Sequence, residues 1–196
     1  MVTRDEAAIA EAALADASAA SAAKDPAPEA DKRGAEPDPR DVARQIVLRQ
    51  LAMAPRSRAE LQQKLTQRGC APEVAGAVLD RMTQVGLVDD EAYAHMLVRT
   101  QQTGRGLARR ALARELQTKG IDGDLADQAL SSISDEDERD RARALVDKKL
   151  KAMHGLGIDV QTRRLAGMLA RKGYTSNMTY AVIREAIADA PEHLPD

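Results

Sequence analysis

The sequence predicts an all-α fold, three tandem three-helix repeats forming an elongated, curved helical array, and three observations carry that expectation. The chain of 196 residues contains no Trp, no Phe and three Tyr, so its core must come from Leu, Val, Ile, Met and Ala, a composition that suits packed helices better than a β-rich core. A spacing of Leu, Leu four later, a basic residue three later and then Gly occurs three times: Leu61, Leu65, Arg68, Gly69; Leu112, Leu116, Lys119, Gly120; and Leu165, Leu169, Lys172, Gly173. The steps between the copies are 51 and 53 residues. After each glycine, apolar residues fall at i, i+4, i+5 and i+8, the pattern of one buried helical face. They are Val74, Val78, Leu79 and Met82, then Leu125, Ala129, Leu130 and Ile133, then Met178, Val182, Ile183 and Ala186. A unit of about 50 residues that repeats in this way buries its apolar face against its neighbours and offers long surfaces rather than pockets.

Residues 1–40 carry five basic and nine acidic side chains and the prolines Pro26, Pro28, Pro37 and Pro39, without large apolar residues beyond the alanine-rich start. Such a segment cannot bury enough surface to offset its ordering entropy, so a disordered tail is expected there. Helical periodicity begins at Asp41, and the repeats are expected over 41–88, 89–134 and 135–190, with a short tail at 191–196. In the first repeat, Ile46, Val47, Leu48 and Leu51 predict a helix ending near Pro55. Ser57 and Glu60 then form the Ser-x-x-Glu capping box of a second helix, which stops at Gly69, and Pro72 suits the first turn of a third. In the second repeat, Asp89 and Asp90 cap a helix carrying Tyr93, Ala94, Leu97 and Val98. A basic link with Gly104 and Gly106 leads to the helix of Leu112 and Leu116. The third repeat starts at the acidic run Asp135–Asp140 and continues through Leu145, Val146 and Leu150. Cys70, aligned with Ile121 and Tyr174, reads as an apolar wedge rather than a nucleophile.

Charge separates the middle repeat from the others. The whole chain has a formal net charge of -2, but residues 41–120 hold 13 basic against 8 acidic side chains, and 121–140 hold 8 acids against Arg139 alone. With Leu112 facing inward and an advance of about 100° per residue, Arg110, Arg114 and Gln117 share the outward face of their helix. The matching positions are Ala59, Gln63 and Thr66 in the first repeat and Arg163, Gly167 and Ala170 in the third. Arg99, Arg105, Arg109, Arg110, Arg114, Gln117 and Lys119 are therefore candidates for an anionic partner or DNA phosphate, against the alternative of a solvated face on which Glu115 and Lys119 pair. Asp122, Asp124, Asp135, Glu136, Asp137 and Glu138 are the acidic candidates to face a partner.

Other chemistry finds little support. His95, His154 and His193 form no constellation, the single cysteine excludes an internal disulfide framework, and no phosphate-cradling glycine motif is present. We therefore expect no enzyme, no catalytic or metal-binding residues and no cofactor. No basic leader with an apolar run and no stretch near the ~18 apolar residues of a membrane span is seen, so a cytoplasmic monomer without membrane contact is expected. A helix-turn-helix reader of duplex sequence would need early recognition-helix residues that contact bases. Asp122, Asp124 and Asp127 oppose that in the second repeat, and only the third, with Ser176, Asn177 and Thr179, is chemically suited. Any direct DNA contact should be weak and salt-sensitive.

Over about residues 41–190 the chain resembles the RecX family of bacterial recombination regulators. The resemblance rests on Arg56, Ser57, Glu60, Leu61 and Leu65; on Gly86, Leu87, Val88, Asp89, Asp90, Tyr93 and Ala94; on Glu115, Leu116, Lys119, Gly120 and Ile121; and on Leu169, Arg171, Gly173 and Tyr174. Tyr93 and Tyr174 stand where the family usually has phenylalanine. The resemblance implies three tandem three-helix repeats and a negative regulator of the RecA recombinase. Such a protein binds RecA, mainly as its filament on single-stranded DNA, and inhibits ATP hydrolysis and strand exchange in recombination and DNA repair. The alternatives are a helix-turn-helix-like DNA-binding regulator and a general helical adaptor.

Overall fold

The computed structural model describes residues 37–190; the expectations for residues 1–36 and 191–196 lie outside that range. The described residues form nine α-helices and one 3-10 turn, with no strand. The first repeat consists of α1 (Pro39–Met53), α2 (Arg58–Gln67) and α3 (Pro72–Gln84). α1 begins two residues ahead of the expected Asp41, because the Asp38 carboxylate accepts the Arg40 N–H at 2.8 Å and Pro39 takes a first-turn position where no donor is needed. Both halves of the α2 capping box form: Ser57 Oγ accepts from the Glu60 N–H and Glu60 Oε2 from the Ser57 N–H, each at 3.2 Å. Gly69 ends the helix at φ +76°, a conformation that costs a residue with a Cβ about 1 kcal/mol or more. Leu48 does not join the core and is 40% exposed. In the run Ile46-Val47-Leu48 only Val47 can point fully inward, and the position one turn earlier is filled by Ala43. Cys70 is half-buried against this core.

The second repeat has α4 (Asp90–Arg105), α5 (Arg109–Thr118) and α6 (Gly123–Ser131). Asp89 caps α4 by accepting the Ala92 N–H at 2.8 Å. α4 runs on through Gly104 and stops only at Gly106, at φ +61°, so most of the expected basic link is the last turn of a helix. Leu125 is exposed, and Ala126 takes the inward position beside Ala129 and Leu130. The third repeat has α7 (Asp135–Leu150), a 3-10 turn (Lys151–Met153), α8 (Ile158–Arg171) and α9 (Ser176–Ala188). The buried Gln161 donates from Nε2 to the Met153 carbonyl at 3.1 Å and holds that turn against α8.

Each repeat has its own apolar core, and the repeats meet through their second helices. At the first junction Ser57 Oγ donates to the Lys119 carbonyl at 2.6 Å, and the Arg58 N–H at the start of α2 is accepted by Asp90 of α4 at 2.8 Å. At the second junction the Ala108 N–H donates to the Lys172 carbonyl at 2.9 Å, and the Arg109 N–H at the start of α5 is accepted by Glu138 of α7. The second helices of the first two repeats, α2 and α5, thus have their starts capped by the following repeat, a contact worth about 1 kcal/mol. α5 has no capping side chain of its own, since Ala108 occupies its N-cap. Glycine allows the close approach: a Cβ on Gly120 would lie 2.3 Å from Ala59 Cβ, and one on Gly173 would lie 2.7 Å from Ala111 Cβ and 2.8 Å from the Ala111 nitrogen.

Candidate functional site

Arg110, Arg114 and Gln117 all lie exposed on α5, as its periodicity predicts. Arg99 and Arg109 are exposed as well, and among the described residues no carboxylate comes within 4.0 Å of the guanidinium groups of Arg99, Arg109, Arg110 or Arg114. The other two cations of the candidate set are engaged. Arg105 Nη1 pairs with Glu115 Oε1 at 2.8 Å and donates to Gln101 at 3.3 Å. Lys119 does not pair with Glu115 along its own helix. It reaches into the first repeat, where its Nζ lies 2.7 Å from Glu60 Oε1.

That contact belongs to a polar cluster. Glu60 also accepts from the Tyr93 hydroxyl at 3.0 Å and lies 3.5 Å from Arg56 Nη1. Burial alone would push the Glu60 carboxyl up; Lys119, the Ser57 N–H and Tyr93 outweigh it and hold the carboxyl below its usual value. Burial and the charge of Glu60 push the Tyr93 phenol up to about 12. Lys119 is therefore a joint residue, and its charge is largely answered within the chain.

The acidic candidates divide too. Asp122, Asp124, Asp135 and Glu136 are exposed at helix starts, where negative charge is favoured in any case. Asp137 is exposed but closes a capping box with Ser134, whose hydrogen bonds lower its pKa. Glu138 does not face outward: it is 8% exposed and turned onto the start of α5, and its burial raises its pKa despite the Arg109 N–H. Thr179 is likewise 3% exposed, leaving Ser176 and Asn177 as the accessible pair at the start of α9.

Periodicity missed a second basic feature. Between the second and third repeats lies a cleft of about 580 Å³ lined by Arg105, Arg141, Lys148, Lys149 and Lys172, with no carboxylate in its wall. Arg141, Leu145 and Lys148 recur at i, i+4 and i+7 on α7, so one wall was readable from spacing. Lys172 comes from the end of α8 and Arg105 from the end of α4, a meeting that only the tertiary fold supplies. The Lys172 ammonium donates to the Arg105 carbonyl and the Tyr174 hydroxyl to the Gly106 carbonyl at 3.2 Å, which fixes the rim. Among the described residues no His, Cys, Asp and Glu group could hold a metal ion, and no helix is long and apolar enough to cross a membrane.

Family models for the first, second and third three-helix domains of RecX match residues 43–82, 89–130 and 135–183, in that order. The regulatory protein RecX of Streptomyces coelicolor is 47% identical over 169 residues, spanning 84% of this chain and 90% of that protein. The chain belongs to the RecX family. The regulatory protein RecX of Thermobifida fusca is 46% identical over 145 residues, 74% of this chain and 78% of that one. The crystal structure of RecX from Lactobacillus salivarius matches with a TM-score of 0.68 over 76% of this chain and 97% of that one, at 21% identity, and shares the fold. The RecX-like residues named from the sequence have a physical role in common here. Ser57, Glu60, Asp90, Tyr93, Lys119 and Gly120 together build the first junction.

Proposed function

We propose that this RecX-family protein is a negative regulator of the RecA recombinase, acting on the filament that RecA forms on single-stranded DNA to slow ATP hydrolysis and strand exchange. Family membership across all three repeat domains carries the reading. The exposed face of Arg110, Arg114 and Gln117 supports it by offering positive charge, unanswered by any nearby described carboxylate, to DNA phosphate or an acidic filament surface. The acidic face that would meet basic filament loops is reduced to Asp122, Asp124, Asp135 and Glu136, and Lys119, Asp137 and Glu138, each engaged within the chain, leave the contact set. A cytoplasmic location follows from such a partner.

The test is single-stranded-DNA-dependent ATP hydrolysis by RecA, with this protein added before assembly or to preformed filaments. Inhibition well below one protein per recombinase is expected, and Arg110→Glu with Arg114→Glu should weaken it at least tenfold. No inhibition at saturating protein would overturn the reading. Unchanged inhibition by the double variant would remove the α5 face from it.

A further inference from the structure

The cleft between the second and third repeats shares three structural positions with a cleft at the first junction. There Leu51 and Pro55 of the α1 end stand where Gln102 and Gly106 stand at the α4 end, and Met96 of α4 stands where Arg141 stands on α7. The first cleft is about 270 Å³ and largely apolar, with Leu87 and Met96 in its wall and one cation, Arg56, against one acid, Asp89. The second is about twice as large, and Lys148 and Lys149 of α7 add to the positive charge of its wall. Stacking of the repeats therefore does not need an excess of positive charge, since the first cleft sets its one cation, Arg56, beside the acid Asp89.

The charge is costly where it sits. Arg141, Lys148, Lys149 and Lys172 converge from two helices, and like charges held together repel. No acid lies within 4.0 Å of these four among the described residues. Arg141 is half-buried, and its Nη1 is shielded from solvent without a hydrogen-bond partner. A half-buried guanidinium with an idle donor is the arrangement that an oxyanion completes. Beside the cations, Leu145 and Met168 give the same cleft an apolar wall.

From this geometry we infer that the cleft between the second and third repeats binds a nucleotide unit, its phosphate held by Arg141, Lys148, Lys149 and Lys172 and its base laid against Leu145 and Met168. A strand of DNA and a free nucleoside triphosphate share that chemistry. The site is distinct from the α5 face, and its binding needs no recombinase, so it stands or falls separately from the proposed regulation of RecA.

The test uses the full-length protein without RecA, titrated against a fluorescein-labelled oligothymidylate by anisotropy over a range of salt, and against ATP by calorimetry. Lys148→Gln with Lys149→Gln changes two exposed helical residues without disturbing the core, and Arg141→Gln is the second variant. Arg44→Gln with Arg49→Gln removes two exposed charges from α1 as a control, and circular dichroism checks that every variant is folded. Oligothymidylate binding weakened at least tenfold by the lysine pair, with the log–log salt slope reduced by about 1.4 for two single-strand phosphate contacts, would identify the strand as the source. Saturable one-to-one ATP binding lost in the same variants would identify the free nucleotide. Absence of binding to both probes, or equal weakening by the α1 control, would overturn the assignment.

Discussion

The first and second junctions use the same parts with opposite electrostatics. In both, a second helix is capped by an acid from the next repeat and a glycine turn presses on the neighbouring helix. At the first, Glu60 is surrounded by Lys119, Tyr93 and Arg56 and is held charged. At the second, the acid brought to the helix start is Glu138, which burial pushes toward its protonated form, while the cations collect outside in the cleft. One joint spends its charges on itself; the other leaves them facing outward. A repeated fold can thus keep its geometry while redistributing charge, because the backbone contacts that set the geometry do not depend on which side chains carry the ions.

The glycines should give the largest effects. Gly173→Ala combines φ +91° with contacts on the Ala111 nitrogen as well as its methyl, and should lower the free energy of urea unfolding by about 3 kcal/mol. Gly120→Ala meets chiefly the Ala59 methyl and should cost about 2 kcal/mol. Ala59→Gly should recover much of the second loss, whereas Ala111→Gly should recover little of the first. Equal rescue at both sites would mean that the two junctions are packed alike.

Next come the caps. Glu138→Ala leaves the Arg109 N–H without its acceptor and should cost about 1–2 kcal/mol, while Glu138→Gln keeps an acceptor and should be nearly neutral. The sign with pH separates the joints. The folded pKa of Glu60 is lowered, so its contribution is present above the ordinary glutamate value and is lost as pH falls through the folded value. Glu138 is the reverse: its contribution is complete below the ordinary value of 4.5 and is lost as pH rises through the raised folded value. Urea unfolding from pH 4 to 7 should therefore show Glu60→Gln becoming relatively worse, and Glu138→Gln relatively better, as pH rises. Parallel curves would erase the contrast. The smallest effect is expected at Glu115→Ala, whose partner Arg105 is exposed, with a loss of about 0.5 kcal/mol.

The local grammar of the chain was legible. Ser57 with Glu60, Asp89, Gly69 and Pro72 act on backbone groups within a few residues, so their roles follow from sequence spacing alone. The outward face of Arg110, Arg114 and Gln117 was legible for the same reason. What spacing could not supply was pairing across repeats. Lys119 looked like a surface cation because its partner is 59 residues away, and Glu138 looked like one acid in a solvated run because the helix start that buries it lies in the preceding repeat. Leu48 and Leu125 were placed inward because a dense apolar run leaves the choice of face open by one position, and small Ala43 and Ala126 fill the closer contacts. The basic cleft needed Lys172 and Arg105 to be brought together by a fold that neither helix specifies alone.

The caps at the two joints all run the same way along the chain. The start of α2 waits for Asp90, 32 residues further on, and Ser57 for Lys119, 62 residues further on; α5 waits in turn for Glu138 and Lys172. α8 is opened by Gly157 with no capping side chain, and among the described residues no later repeat supplies one. During synthesis from the N-terminus, each of the first two repeats therefore leaves the ribosome before the contacts on the start of its central helix are complete, and its successor completes them. The last repeat to emerge locks the array, and the growing chain gains stability backwards, from its newest part to its oldest.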